Sequence, residues 1–294
     1  MTSAGTAIPV GAGPRSLTFT PDERSVYVVN ADDGTVSVID AEAGAVVRTV
    51  AVGSSPSAVA SGPASGLDRV VVTGVSPGRL IVLDPRTSSE IGRIRLPGMP
   101  GAVAVAPGGG TAYVSDFERD TVVVVDLASG PGQPIAVAEH PGDVVLSPDG
   151  ARVYVASPQF GVLSAIDTST ASVVATLELT FRPGHLAVTP DGRRLYAGSP
   201  QFGTVSTFDL ATFTEVGNPV QVGGGVTGVA VTPDGRLLYA VDGAGGTVTA
   251  FRTSDHVAEG SPVPTGDDPL DVIAGERAVF VANTSSASVT MLRR

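Results

Sequence analysis

Apolar and polar residues alternate along this chain in short runs separated by turn residues. The segment Tyr27–Asp40, YVVNADDGTVSVID, has the form of a strand, a Gly-containing loop and a second strand. The pattern returns at Tyr113–Asp126, Tyr154–Asp167 and Tyr196–Asp209, with weaker copies at Val71–Asp84, Tyr239–Arg252 and Phe280–Arg293. A short apolar strand precedes each copy and often closes in Pro-Asp-Gly. Its central apolar residue falls at Leu17, Val59, Val103, Val144, Leu186, Val229 and Val272, at intervals of 42, 44, 41, 42, 43 and 43. Period-2 alternation marks strands, and self-similarity at this spacing marks a repeat architecture.

A full unit has room for four strands. In the first unit they are predicted at Ser16–Thr20, Val26–Val29, Thr35–Ile39 and Val46–Val52. Pro-Asp-Gly at 148–150, 190–192 and 233–235 suits a tight turn between the first two strands, Pro fixing φ and Gly ending the turn. Asp40, Asp84, Asp126, Asp167 and Asp209 end the third strand at one structural point, which assigns them to turn stabilisation; Arg252 and Arg293 replace them in the last two units. The seventh unit reaches Arg294 after its third strand, while Ala7–Gly11 matches Thr49–Gly53 at the end of a fourth strand. Residues 7–11 are therefore expected to pair with 288–292 and close a ring. Pro9 is acceptable there because an outermost strand has a free edge. The expected fold is all-β: residues 1–294 as a single seven-bladed β-propeller of four-stranded blades, closed by the N-terminal strand as the outer strand of the last blade.

YVVN, YVSD and YVAS, followed by GTVSVID-like strands and Pro-Asp-Gly turns, resemble the YVTN-repeat β-propellers, a lactonase-like group. The chain has no Trp, which sets it apart from tryptophan-aspartate repeats. The resemblance covers nearly the whole chain. Related propellers include phosphogluconolactonase-type enzymes, surface-layer and secreted proteins, and domains of redox enzymes. The resemblance also implies that ligand sites lie on the face carrying the d–a and b–c loops, around the channel mouth.

Comparison among the repeats then isolates candidates. At the mouth, the first residue of strand a runs Ser16, Ala58, Ala102, Asp143, His185, Gly228, Asp271, and two positions on come Thr18, Ala60, Ala104, Val145, Ala187, Ala230 and Ile273. Small residues dominate, so Asp143, His185 and Asp271 stand out. A carboxylate orienting an imidazole is the usual acid–base arrangement, and Asp143 and His185 come from adjacent blades. Loops of the same face add Arg15, Arg182, His140, Phe117, Phe160 and Phe202. Ser-Pro-Gln-Phe-Gly, containing Gln159 and Gln201, occurs twice, at 157–161 and 199–203. Apolar walls with a few convergent polar groups suit a small-molecule pocket. The expectation is a metal-independent acid–base enzyme acting on a partly apolar organic substrate by lactone hydrolysis, cyclisation, isomerisation or elimination. His185 would be the acid or base and Asp143 its partner. Asp271, Arg15, Arg182, His140, Gln159, Gln201 and the three Phe would bind substrate, with at least one of Phe160 and Phe202 lining the pocket. A non-catalytic protein-interaction scaffold is the alternative.

Composition narrows the chemistry further. No Cys means no disulfide or thiolate chemistry, and no Lys excludes a Schiff base. Arg in place of Lys, with abundant Ala, Gly, Val and Pro, suggests a GC-rich genome. A net charge of −11 argues against nucleic acid. The start lacks a basic n-region and a long apolar h-region, and no apolar run reaches membrane-spanning length. No Gly-rich nucleotide loop or Ser-elbow is present. A cytoplasmic monomer with a small-molecule substrate, no cofactor, no metal and no membrane contact is expected.

Overall fold

The computed structural model describes residues 5–62 and 68–294; the first four residues of the start read above lie outside them. Seven antiparallel sheets form the seven blades, with no helix among the described residues. Strands a to d of blade 1 are Pro14–Phe19, Ser25–Asn30, Thr35–Asp40 and Ala45–Ala51. Strand a of the later blades is Pro56–Ser61, Pro100–Val105, Asp143–Leu146, Leu186–Val188, Val226–Val231 and Pro269–Ala274. Blade 7 is completed by Thr6–Pro9, which pairs with Ser288–Arg293 in the register Thr6↔Met291 to Pro9↔Ser288. The ring therefore closes as expected, with the pairing one residue nearer the N-terminus.

The turns show why these residues fold this way. Thr20, Ser147, Thr189 and Thr232 donate their hydroxyls to Asp22, Asp149, Asp191 and Asp234. The same carboxylate oxygen accepts the N–H two residues on, from Arg24, Ala151, Arg193 and Arg236. The aspartates ending strand c each accept two N–H groups of the following turn, Glu42 and Ala43 for Asp40, for example. At Asp167 the Ser169 hydroxyl and the turn amides hold the carboxyl down at about 2. The structural role read for these acids holds.

Seven apolar clusters hold the ring together, one at each blade junction. The closing cluster joins Ile8 to Leu17, Val26 and Val28 of blade 1 and to Phe280, Val289 and Met291 of blade 7. Burying Ile8 there contributes about 1.5–3 kcal/mol, so the N-terminal strand adds core as well as a ladder.

The outer edge departs from the repeat. Strand d of blade 5 is split into Thr214–Glu215 and Val220–Gln221, both on strand c. Gly217, at φ 73°, and Pro219, which lacks an N–H, interrupt the ladder between them. Strand d of blade 6 is only Val263–Pro264. At the inner edge, a bulge follows the leading residue of strand a in blades 1, 2, 3, 6 and 7 and is lacking in blades 4 and 5.

Candidate active site

The innermost strands surround a cavity of about 1030 Å³ along the ring axis. Its mouth is lined by Arg15, Ser16, Met99, Asp143, His185 and Asp271, and its opposite end by Phe19, Ser61 and Glu23. The far end was not anticipated from sequence. Thr18 donates to Ser61 there, and Ser61 to the Phe19 carbonyl, so those hydroxyls are already engaged.

Asp143 and Asp271 do the same structural task in two blades. Asp143 Oδ1 accepts the Val144 N–H at 2.9 Å, and Oδ2 accepts the Leu186 N–H of blade 5 at 2.8 Å. Asp271 Oδ1 accepts Val272 N–H at 2.8 Å, and Oδ2 accepts Leu17 N–H of blade 1 at 2.9 Å. Each carboxylate thus pins its own blade to the next. Ser16 Oγ is a weaker version, accepting the Val59 N–H of blade 2 at 3.2 Å. These pins could have been suspected from sequence only by asking what strand a's amides bond toward the neighbouring blade.

His185 is unlike them. Its imidazole makes no hydrogen bond among the described residues, and its side chain is 36% exposed in the channel. Nδ1 lies 3.8 Å from Asp271 Oδ1. Asp143, the partner expected from adjacency, is not within ion-pair distance of the ring. The reason lies in blade 6. Gly228 occupies the inner position there, and a Cβ on it would meet the Asp271 Cα at 3.1 Å. Blades 6 and 7 therefore approach closely, with no side chain between His185 and Asp271. The electrostatics follow from enclosure. Burial pushes both Asp143 and Asp271 above the ordinary carboxylate range, with His185 and the backbone amides opposing it. The charge of Asp143 raises Asp271 further.

The aromatic wall is elsewhere. None of Phe117, Phe160 and Phe202 lines the cavity, and they are 38%, 52% and 52% exposed. The b–c loops join the second and third strands of a blade, so they lie farther from the axis than strand a. Phe117 stacks on His140 at 4.5 Å between ring centroids, and the Phe160 ring lies 6.3 Å from the same imidazole, 23° from parallel. His140 Nδ1 is 3.0 Å from the Phe117 carbonyl oxygen. Gln159, Gln201 and Arg182 are exposed and likewise outside the cavity. The expected pocket therefore keeps Asp143, His185, Asp271 and Arg15 and loses the rest.

No group of three or more His, Cys, Asp or Glu among the described residues is placed to hold a metal ion. No helix there is long and apolar enough to cross a membrane.

Residues 100–265 match the family described as SMP-30/Gluconolactonase/LRE-like region. Residues 11–177 match the one described as outer membrane protein assembly factor BamB. The two matches overlap on blades 3 and 4, as repeat-built patterns do on a repeat-built chain. No curated protein matches the sequence. Among solved structures, a chain of Kuenenia stuttgartiensis hydrazine synthase superposes with a TM-score of 0.85 at 22% identity, covering 96% of each chain. At that identity the likeness concerns the fold alone. The first match spans more than half of the 294 residues, and with the seven-bladed ring it shows that the chain belongs to the lactonase-like β-propellers of the SMP-30/gluconolactonase/LRE-like family.

Proposed function

We propose that the protein binds a small organic molecule at the channel mouth and acts on it by acid–base chemistry, with His185 as the acid or base. One observation carries this reading. His185 is an imidazole without a hydrogen bond to the chain, open to the cavity, beside a carboxylate that two backbone amides hold in place. A fixed carboxylate next to a free ring is the preorganisation that proton transfer requires. Asp271 is then the positioning residue, and Asp143 is foremost a pin between blades. Arg15 lines the mouth and would face a carbonyl or anionic group of the substrate. Family membership favours hydrolysis of a lactone or related ester over the other reactions that the same groups could perform.

The test is turnover of a panel of γ- and δ-lactones and aryl esters by the wild-type chain and by His185→Ala. Turnover that falls about a hundredfold or more in the variant supports the reading. Turnover unchanged in the variant, or no turnover and no binding of any member of the panel, overturns it.

The scaffold reading retains one observation, the exposed stack of Phe117, His140 and Phe160. It lies away from the cavity and would serve a protein partner without involving His185.

A further inference from the structure

The aromatic residues expected to wall the pocket stand outside it, which leaves the apolar part of a substrate to be placed. The channel mouth is two-sided. Asp143, His185, Asp271 and Arg15 occupy the arc from blade 4 round to blade 1, while Ala58, Val75, Ala102 and Met99, with Ser57 beside them, line the stretch of blades 2 and 3. In a ring of seven, the loop between blades 2 and 3 stands across the axis from blade 6. Blade 6 separates His185 from Asp271, so Met99 stands opposite the gap between imidazole and carboxylate.

The stitching between blades explains why the second arc is free of charge. In blades 1, 4 and 7 the inner side chain of strand a accepts an N–H of the next blade. Between blades 2 and 3 the task passes to Thr73, a buried residue of strand b. Its Oγ1 accepts the Ala58 N–H at 3.0 Å and donates to the Gly101 carbonyl of blade 3 at 2.7 Å. No acid is needed at the inner position there, and alanine occupies it in both blades.

Met99 differs from its equivalents in the other blades. The residue whose carbonyl accepts the N–H of the following b–c loop is Gly13, Ser55, Met99, Gly225 and Asp268 in blades 1, 2, 3, 6 and 7. Of these five, blade 3 alone has a large apolar side chain, and it is 40% exposed. The backbone beneath it is held on both sides. The buried Asp116 accepts the Met99 N–H at 3.0 Å, and the Met99 carbonyl accepts the Phe117 N–H at 3.1 Å. A flexible thioether side chain on a fixed backbone suits it to cover an apolar substituent.

We propose that this arc is the apolar subsite of the channel mouth, that Met99 is its specificity-determining residue, and that it takes a linear alkyl substituent on the ring of a lactone. The proposal rests on the acid–base reading of His185, since the ring is held there and the substituent reaches across the axis. Covering Ala58, Val75, Ala102 and Met99 with the substituent removes apolar area of both partners from water.

Calorimetric titration of the full chain with γ-lactams bearing a methyl, propyl or hexyl side chain tests the subsite without turnover, because the ring amide resists hydrolysis. Affinity should rise about threefold per methylene from methyl to propyl, with a further gain to hexyl. Met99→Gln keeps the length of the side chain and removes its apolar end. It should lower the hexyl-to-methyl affinity ratio about tenfold and melt with wild type, since the backbone bonds of residue 99 remain. Ala102→Leu fills the arc and should also lower the ratio. Equal affinity for the three lactams would overturn the proposal, as would the same ratio in wild type and Met99→Gln. So would a ratio lowered by Ile273→Thr but not by Met99→Gln, because the substituent would then run down the channel that Ile273 lines. The lactone panel run alongside separates the two readings. Lactone turnover without a chain-length gain in the lactams contradicts the subsite alone, and the gain without any turnover contradicts catalysis by His185 alone.

Discussion

Around the channel mouth, blades 1 to 3 present Ser16, Ala58 and Ala102 at the first inner position of strand a, while blades 4, 5 and 7 present Asp143, His185 and Asp271. The inner position is shared, although blades 4 and 5 lack the strand-a bulge of the others, so the contrast falls mainly on what the side chains do. Ser16, Asp143 and Asp271 all accept the N–H of the next blade's central strand residue. Polarity at this position therefore serves architecture first, and a carboxylate serves it more strongly than a hydroxyl. His185 alone of the polar four takes no part in the stitching. Its neighbour Asp271 has a second consequence, because the carboxylate that fixes blade 7 to blade 1 also faces the imidazole at 3.8 Å.

Replacing His185 should have the largest effect and the most selective one. His185→Ala is expected to lower turnover about a hundredfold or more while changing stability by less than about 1 kcal/mol, because no hydrogen bond to the chain is lost. Turnover assays and urea titration of the same preparation check both halves. A strongly destabilised variant would place His185 with the pins.

Asp271→Ala and Asp143→Ala should reverse that balance. Each leaves two strand amides without a charged acceptor and should cost about 1.5–3 kcal/mol in denaturant unfolding. Turnover separates the two variants: Asp271→Ala should lose about tenfold or more, as when an orienting partner is removed, and Asp143→Ala clearly less. Equal losses would restore Asp143 as the partner of His185.

The pH dependence of stability sharpens the contrast between the pins and the turn acids. Asp143 and Asp271 are raised by burial, so the folded chain holds protons that the unfolded chain has released. Their contribution is fully present below the ordinary carboxylate range, about 4, and is lost as pH rises through their elevated values. The turn acids Asp149, Asp167, Asp191 and Asp234 are lowered, chiefly by hydroxyl hydrogen bonds. Their contribution is present above the ordinary range and lost as pH falls, for Asp167 toward about 2. The stability gap between wild type and Asp143→Asn/Asp271→Asn should therefore shrink as pH rises above 4. The gap between wild type and Asp167→Asn should grow over the same rise. Denaturation curves at stepped pH measure both, and parallel gaps would contradict the assignment. The smallest effect belongs to Ser16→Ala, about 0.5–1.5 kcal/mol for one neutral hydrogen bond to Val59.

The ring was legible because a closed propeller repeats its constraints. The seven central residues from Leu17 to Val272, the Pro-Asp-Gly turns and the match of Ala7–Gly11 to Thr49–Gly53 each state the same geometry again. Irregular edges were less legible, since the split strand d of blade 5 turns on local ladder bonds around Gly217 and Pro219. At the site, the comparison of repeats picked out Asp143, His185 and Asp271 correctly as the unusual inner residues. It paired His185 with Asp143 because blade order suggested adjacency, whereas the imidazole lies 3.8 Å from Asp271, to which the missing side chain of Gly228 leaves the way open. The Phe residues were placed on the correct face but at the wrong radius, since a loop's distance from the axis depends on which strands it joins.

The most direct measurement is a crystal structure of the chain soaked with a δ-lactone bearing a short alkyl chain, or with the matching hydroxy acid. Ligand density within hydrogen-bond distance of the His185 imidazole, between Asp271 and Arg15, is the predicted result. Density confined to the Phe117–His140–Phe160 stack, with the channel mouth holding only solvent, would contradict it.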